Sequence, residues 1–138
     1  LDGLVVAGGE PLLQDGLAAF LEEVRETGAR VRLETNGSLP LGLGYLTQKK
    51  LVDSVVLKVM APLDRSRYRT CAGLADDSER IVRSVRDARD LLVASDIDHE
   101  FRFMLVPELH SRLDLDLVRV QFGRTGRLVI EKLKERPQ

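Results

Sequence analysis

The chain has 138 residues, of which 43% are hydrophobic and 31% are charged, a balance typical of a folded globular protein and not of a disordered or membrane-embedded one. Its 21 basic and 22 acidic residues nearly cancel, which argues against a nucleic-acid-binding protein. The single cysteine, Cys71, excludes a disulfide framework, a cysteine-only zinc site and a self-contained iron–sulfur cluster. We expect one domain spanning residues 1–138.

The start of the chain carries no signal-peptide pattern, and no apolar run approaches the roughly 20 residues of a membrane-spanning helix. Together with the free thiol, this predicts a cytoplasmic protein that does not act at a membrane. Because the first residue is Leu1 and a strand-like run follows at once, the sequence favours a fragment of a longer protein over a complete small one.

Apolar runs and helical periodicities alternate along the chain, which predicts an α/β fold built from parallel βαβ units with right-handed crossovers. The runs are mostly apolar on both faces, as strands of a parallel sheet are. We expect strands at 4–7, 31–35, 54–60, 100–106 and 128–130, and helices between 15 and 28, over 45–51, over 78–94 and over 114–122.

The boundaries of these elements follow from capping and turn residues. Asp15 and Ser78 are the predicted N-caps of the first and the longest helix. The stretch 40–44 contains a proline and two glycines and predicts a loop. The stretch 63–77 is polar and lacks a periodic apolar stripe, which predicts an irregular basic segment, with a docking surface for a partner as the less favoured interpretation.

Polar and glycine-rich segments occur where the predicted strands end. Because ligands of parallel α/β proteins bind beyond the carboxyl ends of the strands, these segments would share one rim. They are Gly8-Gly9-Glu10-Pro11 after the first strand, Thr35-Asn36-Gly37 after the second, Lys58 and Met60 on the third, and Arg102 on the fourth.

Several residues at or near this rim also have an ordinary structural interpretation. Gly8-Gly9 leaves backbone groups uncovered, so that a ligand can approach closely, but the pair alone is more often a tight turn. Its spacing is not that of a dinucleotide-binding loop. Arg102 alone is more often a packing or surface arginine, and His110, just past the fourth strand, is more simply a loop histidine.

Taken together, the four segments are far more specific than any one of them. In the order and spacing of these segments the chain resembles the radical S-adenosylmethionine enzymes. Within that family it is most similar to the activating enzymes of glycyl-radical proteins, especially the type that activates anaerobic ribonucleotide reductase. The similarity runs from Leu4 to about His110. It implies a partial parallel (β/α) barrel of about five strands, open at the first-strand edge, with the helices on its outer face.

The resemblance also implies roles for six residues. In such enzymes the Gly-Gly-Glu-Pro segment holds the amino group of the methionyl part of S-adenosylmethionine, the Thr-Asn-Gly segment lies beside the same ligand, and an arginine on a later strand approaches the ligand's carboxylate. The residues that would inherit these cofactor-binding roles are Gly8, Gly9, Glu10, Thr35, Asn36 and Arg102.

Two departures from the family pattern stand out. The family holds its 4Fe–4S cluster through a C-x-x-x-C-x-x-C motif, which this sequence lacks, so we expect no catalytic or metal-binding residue here and a cluster only in a full-length parent. Where the family commonly has Asp-x-Lys, this chain has Lys58-Val59-Met60, so a carboxylate is replaced by a base and a lysine by a thioether.

Three functions therefore compete. The first is a fragment of an enzyme that cleaves S-adenosylmethionine reductively and generates a glycyl radical on a partner protein, in which case this chain alone is inactive. The second is a non-catalytic remnant that keeps only ligand or protein binding. The third is an unrelated α/β enzyme that binds a phosphate or a sugar at the same rim.

Overall fold

A computed structural model describes residues 2–73, 77–124 and 126–133 of the chain. The strands are β1 (Gly3–Val6), β2 (Arg30–Thr35), β3 (Ser54–Val59), β4 (Asp98–Leu105) and β5 (Leu128–Lys132). The helices are α1 (Leu17–Glu26), α2 (Pro40–Gln48), α3 (Arg65–Ala72), α4 (Ser78–Ala94) and α5 (Arg112–Phe122), with one 3-10 turn at Pro11–Leu13.

The described strands form one parallel sheet in the order β1-β2-β3-β4-β5, so position in the sheet equals position in the chain. The registers pair Val6 with Leu33, Thr35 with Leu57, and Lys58 with Arg102. Within this sheet β1 and β5 each pair with a single neighbour and do not close onto one another. The predicted α/β fold, a partial parallel barrel of five strands that is open at the β1 edge, is confirmed.

The two faces of the sheet have opposite character. Right-handed crossovers between consecutive strands place the connecting helices on one face, where alternate strand residues such as Leu33, Leu57 and Phe101 are fully buried. The core also contains residues of the helices, among them Leu43 and Phe122. We call the opposite face, which carries charged side chains, the inner face; its charged members include Arg30, Arg32, Glu34, Lys58, Asp98, Glu100, Arg102 and Glu131.

Two expectations about the helices are wrong. The stretch 40–44 opens α2 instead of forming a loop, because Pro40 occupies the first turn of the helix, where its missing N–H costs nothing. The stretch predicted to be irregular contains α3, which is capped by the Asp64 side chain accepting the Arg67 N–H. Residues 74–76 of that stretch lie outside the described residues.

Two predicted caps are also wrong. Helix α1 follows Gly16 and not Asp15, and no side chain caps its first turn. The N-cap of α4 is Asp77, while Ser78 is the first helical residue and is only 1% exposed. The bounds of α4 itself agree with the prediction, because its apolar stripe is long and regular.

A charged side-chain pair joins α3 to α5. The Arg67 guanidinium donates from Nε and Nη2 to the two carboxylate oxygens of Asp114, at 2.8 and 2.7 Å, and Nη2 also donates to the Leu109 carbonyl at 3.0 Å. Asp114 is 2% exposed and completes a capping box with Ser111 at the start of α5. Arg67, in the segment predicted to be irregular, is thus a structural link between two helices.

Among the described residues, no helix combines the length and apolar character that crossing a bilayer requires.

Candidate functional site

The carboxyl end of β1 leads into an exposed glycine pair. Gly8 has a φ of +107°, a conformation that side chains other than glycine rarely adopt. A Cβ placed on Gly8 or on Gly9 would meet no heavy atom of the described residues within 4 Å. The space beside both Cα atoms is therefore empty of described atoms, so that a ligand could approach this backbone closely.

Glu10 joins the end of β1 to the end of β2. Its carboxylate accepts the Thr35 hydroxyl at 2.5 Å and the Asn36 backbone N–H at 3.0 Å. Because Thr35 is fully buried, this contact holds the Glu10 carboxylate against the interior of the protein. The structure thus brings Glu10, Thr35 and Asn36 into direct contact, while Gly8 and Gly9 only precede Glu10 in the chain, and Glu10 links the two strand ends.

The turn after β2 is ordered by its own side chains. The Asn36 Oδ1 accepts the Ser38 backbone N–H at 3.0 Å and the Ser38 hydroxyl at 2.7 Å. Gly37, between them, has a φ of +77°. A Cβ there would lie 2.6 Å from Leu57 Cδ1, so glycine is required for both its conformation and its size.

We expect Gly37→Ala to destabilise the protein by about 1–3 kcal/mol, because the substitution adds backbone strain and a steric clash with a buried leucine. Urea unfolding at neutral pH measures the change. Gly73→Ala is the matched control, since Gly73 also has a positive φ (+69°) but no described heavy atom within 4 Å of its Cβ position. Equal losses for the two variants would show that the contact with Leu57 adds nothing.

Arg102 lies in a second cluster on the inner face. Its Nη2 is 2.7 Å from Glu100 and its Nε is 3.5 Å from Glu131. Its Nη1 is 4.0 Å from Glu34, which is beyond hydrogen-bonding distance. Glu34 directly precedes Thr35 on β2, but adjacent strand residues point to opposite faces of a sheet, so the Arg102 cluster lies on the inner face while the Thr35 side chain is buried on the other face. The three carboxylates around Arg102 come from β2, β4 and β5.

Lys58 and Arg102 are register partners on β3 and β4, which sets two cations next to one another on the inner face. Met60, the other departure from the family pattern, follows β3 and is 38% exposed. Neither side chain can supply the carboxylate that Asp-x-Lys would place there.

Sequence reasoning had no signal for the role of His110 found here. Its Nδ1 accepts the Val106 N–H at 3.0 Å, which leaves the proton on Nε2, 2.9 Å from the Met60 carbonyl. The ring packs edge-on against Phe103 with centroids 4.7 Å apart. His110 therefore anchors the loop after β4 to the end of β3, beside the rim, and the loop location predicted for it holds.

Comparison with known proteins places these features in a family context. No family model matches the chain. A curated protein of Methanocaldococcus jannaschii, provisionally named a glycyl-radical enzyme activating enzyme, is 29% identical over 116 residues, which are 83% of this chain and 48% of the relative. The resemblance to the radical S-adenosylmethionine activating enzymes is confirmed. The chain spans about half the length of this curated relative.

Two solved structures share the fold of this chain. The structure of TYW1 with a lysine-pyruvate adduct aligns with 97% of the chain and 42% of its own length, at a TM-score of 0.76 and 15% identity. A domain of the pyruvate-formate lyase-activating enzyme from Bacteroides vulgatus aligns with 94% of the chain and 99% of its own length, at a TM-score of 0.57 and 12% identity.

The side chains of this chain do not fit an iron–sulfur cluster. Burial raises the pKa of the Cys71 thiol, more than the nearby Arg67 cation lowers it, which disfavours the thiolate that binds iron. Cys71 lies on α3, with Arg67 Nη2 3.5 Å from its sulfur. In the described part of the chain, no group of three or more histidine, cysteine or acidic side chains could hold a metal ion.

S-adenosylmethionine fits better. The open backbone at Gly8 and Gly9 offers carbonyl oxygens for an ammonium group, and the Nη1 of Arg102 has no hydrogen-bond acceptor in contact among the described residues. A guanidinium is a strong partner for a ligand carboxylate. The Gly8 and Gly9 carbonyls could thus accept hydrogen bonds from the ammonium of the methionyl end, and Arg102 could pair with its carboxylate.

Proposed function

We propose that this chain is the S-adenosylmethionine-binding part of an activating enzyme of the radical type, whose partner is a glycyl-radical protein. The cluster belongs to a part of the enzyme that this sequence does not contain. The observation that carries the proposal is the Glu10 contact with Thr35 and Asn36, because it fixes the open glycine edge against the end of the next strand.

Each residue of the rim has a physical task in this proposal. Gly8 and Gly9 present backbone carbonyls to the ligand's ammonium, and Glu10 is a positioning residue, since its oxygens already accept protein hydrogen bonds. Asn36 holds the turn that borders the ligand. Arg102 pairs with the ligand's carboxylate. The chemistry that the resemblance implies is reductive cleavage of S-adenosylmethionine at a cluster, followed by hydrogen abstraction from a glycine of the partner.

Lys58 favours a second candidate, a non-catalytic module that retains ligand binding. A base stands where the family commonly has a carboxylate, next to the cation Arg102. This arrangement strengthens the attraction for an anionic ligand group and removes an acidic group that a cation would need.

A chimera separates the two candidates. In it this chain replaces the matching part of the M. jannaschii relative, and the rest of that relative is kept so that it can supply a cluster-binding segment. After anaerobic reconstitution and reduction, the enzyme proposal expects release of 5′-deoxyadenosine from S-adenosylmethionine. Binding of S-adenosylmethionine without cleavage would replace the proposal with the non-catalytic module. Absence of binding would contradict both.

Gly9→Val tests the rim in the same chimera. We expect the ligand's affinity to fall at least about tenfold, because a branched side chain would fill the space that the ligand needs. The fold should tolerate the change, since nothing described lies within 4 Å of the Cβ position. Gly3→Val at the opposite end of β1 is the control and should leave affinity unchanged. Calorimetry gives both values, and an unaffected Gly9→Val variant would remove the glycine edge from the site.

A further inference from the structure

We propose that the carboxyl edge of the sheet carries a second site, which binds an uncharged polypeptide segment through one peptide group and one apolar side chain. A cavity of about 380 Å³ lies there, between the turn after β2, the end of β3 and the helices α3 and α4. The identity of the polypeptide as the glycyl-radical partner rests on the function proposed above, whereas the binding itself does not.

The described side chains that line this cavity are all uncharged, unlike those of the inner face. The lining includes Asn36, Ser38, Met60, Tyr68, Ala72 and Ile81. The Arg67 Nη2 lies 3.5 Å from the sulfur of Cys71, which also lines the cavity, but both carboxylate oxygens of Asp114 engage this guanidinium. An ionic ligand would lose hydration here without gaining an ion pair, so the site selects a neutral ligand.

The polar wall of the cavity offers one hydrogen-bond donor and one acceptor. The Asn36 Oδ1 accepts the Ser38 backbone N–H and the Ser38 hydroxyl. Because a backbone N–H can only donate, this contact fixes which end of the Asn36 amide is the oxygen.

The other end of the Asn36 amide is available to a ligand. Its Nδ2 meets no acceptor among the described residues and is not buried, so it can donate. The Ser38 oxygen gives its hydrogen to Asn36 and keeps lone pairs with which it can accept. A donor and an acceptor two residues apart match the carbonyl and the N–H of a peptide group.

The apolar wall of the cavity suits an aliphatic side chain. Met60 is 38% exposed at the end of β3, and the half-buried Ala72 and Ile81 come from α3 and α4. A thioether and aliphatic groups bury such a side chain favourably. A nucleobase would instead need an aromatic face for stacking, and Tyr68, which is only 1% exposed, does not present one. The chemistry therefore favours a polypeptide over a nucleoside.

An NMR titration of the chain tests this site in the absence of S-adenosylmethionine. Asn36 is the only asparagine of the sequence, so selective isotope labelling of asparagine reports on its side-chain amide alone. N-acetylleucinamide, a neutral leucine with a peptide group on each side, should shift this signal saturably, with a Kd on the order of millimolar. N-acetylglycinamide lacks the side chain and should bind about tenfold more weakly.

Three results of the titrations would overturn the site: no saturation by N-acetylleucinamide, equal Kd values for the two amides, or tighter binding of adenosine than of N-acetylleucinamide. None of them would affect the release of 5′-deoxyadenosine expected of the chimera. If the chimera fails while N-acetylleucinamide binds as expected, the polypeptide site stands and only the identification of the partner is withdrawn.

Variants connect the binding to the cavity, followed at the Ile81 backbone signal. Ala72→Leu fills the cavity from the last residue of α3 and should weaken N-acetylleucinamide binding at least about tenfold. Ala94→Leu, at the exposed last residue of α4, is the matched control and should have no effect. Asn36→Asp keeps the acceptor for Ser38, replaces the Nδ2 donor with an oxygen and should also weaken binding about tenfold, which tests the site even if Ala72→Leu does not fold. Unchanged binding by Asn36→Asp, or equal binding by the two leucine variants, would overturn the proposal.

Discussion

Asp114→Asn is expected to lower the free energy of unfolding by about 2–3 kcal/mol at neutral pH, because it removes one partner of a buried charged pair. An asparagine can accept only one of the two Arg67 hydrogen bonds and turns an N–H group toward the other donor. It also loses a strong acceptor for the Ser111 N–H. Arg67 is 31% exposed and can regain some hydration, which keeps the loss below that of a fully buried pair.

Asp116→Asn is the matched control. Asp116 lies two residues further along α5 and pairs with Arg112 at 3.6 Å, with side chains 52% and 83% exposed. Such exposed pairs contribute about 0–1 kcal/mol, so its loss should be small. Urea unfolding of the three proteins measures both effects. Similar stabilities of the two variants would contradict the structural role of the Arg67–Asp114 pair.

The Arg67–Asp114 pair makes the free energy of unfolding depend on pH in the acidic range. Burial alone would raise the pKa of the Asp114 carboxyl, but hydrogen bonds from Arg67 and Ser111 outweigh it and hold that pKa below its ordinary value. The unfolded chain therefore takes up this proton first, and the stabilisation is complete above about pH 4 and is lost as the pH falls through the lower folded-state pKa. The gap between wild type and Asp114→Asn should thus shrink from pH 7 toward pH 2. A gap that stays constant would contradict the linkage.

Arg102→Ala is expected to weaken the affinity of the chimera for S-adenosylmethionine about tenfold to a hundredfold, the effect of losing one charge-assisted contact of about 1.5–3 kcal/mol. Its guanidinium pairs with Glu100, and the Nη1 group faces outward from that pair at 4.0 Å from Glu34. Calorimetry with the ligand gives the affinity. An unchanged affinity would remove Arg102 from the proposed site.

Lys58→Ala is the control for charge without guanidinium geometry, since Lys58 is the register partner of Arg102 on β3. We expect a smaller loss of affinity from this variant. Equal losses would indicate a general attraction to positive charge on the inner face. Removal of Arg102 also leaves Glu100 with arginines only at 3.9 Å, so the unfolding free energy of each variant must be measured in parallel.

Elements of the fold were predictable from the sequence where a local apolar pattern marks them. Helix α4 has a continuous apolar stripe, and its predicted bounds hold. Helix α3 was missed because the segment RSRYRTCA has no such stripe: the features that hold it are the Asp64 cap and the distant Asp114. A partner 47 residues away leaves no signal in a local window. The loop predicted at 40–44 was wrong for a different reason: proline is common both in loops and in the first turn of a helix, so Pro40 alone does not distinguish them.

The site was predictable in placement but not in contacts. That Glu10, Thr35 and Asn36 share a rim follows from parallel strands, whose carboxyl ends lie on one side. The carboxylates around Arg102 depend on the registers of β2, β4 and β5, which pattern alone does not specify. The resemblance predicted which residues bind the ligand, and it carried no signal that Glu10 accepts hydrogen bonds from the neighbouring strand.

The strand order has a consequence for how such a chain forms and changes. Because each of the described strands pairs only with strands adjacent in sequence, each loop closure spans one crossover, and folding can advance unit by unit along a growing polypeptide. The edge strand of the part already folded then pairs with the strand of the next strand–helix unit. The same strand order makes the architecture modular, because a strand–helix unit can be gained or lost at either edge without changing how the other strands pair. A sheet in which a later strand lies between two earlier ones would not permit this.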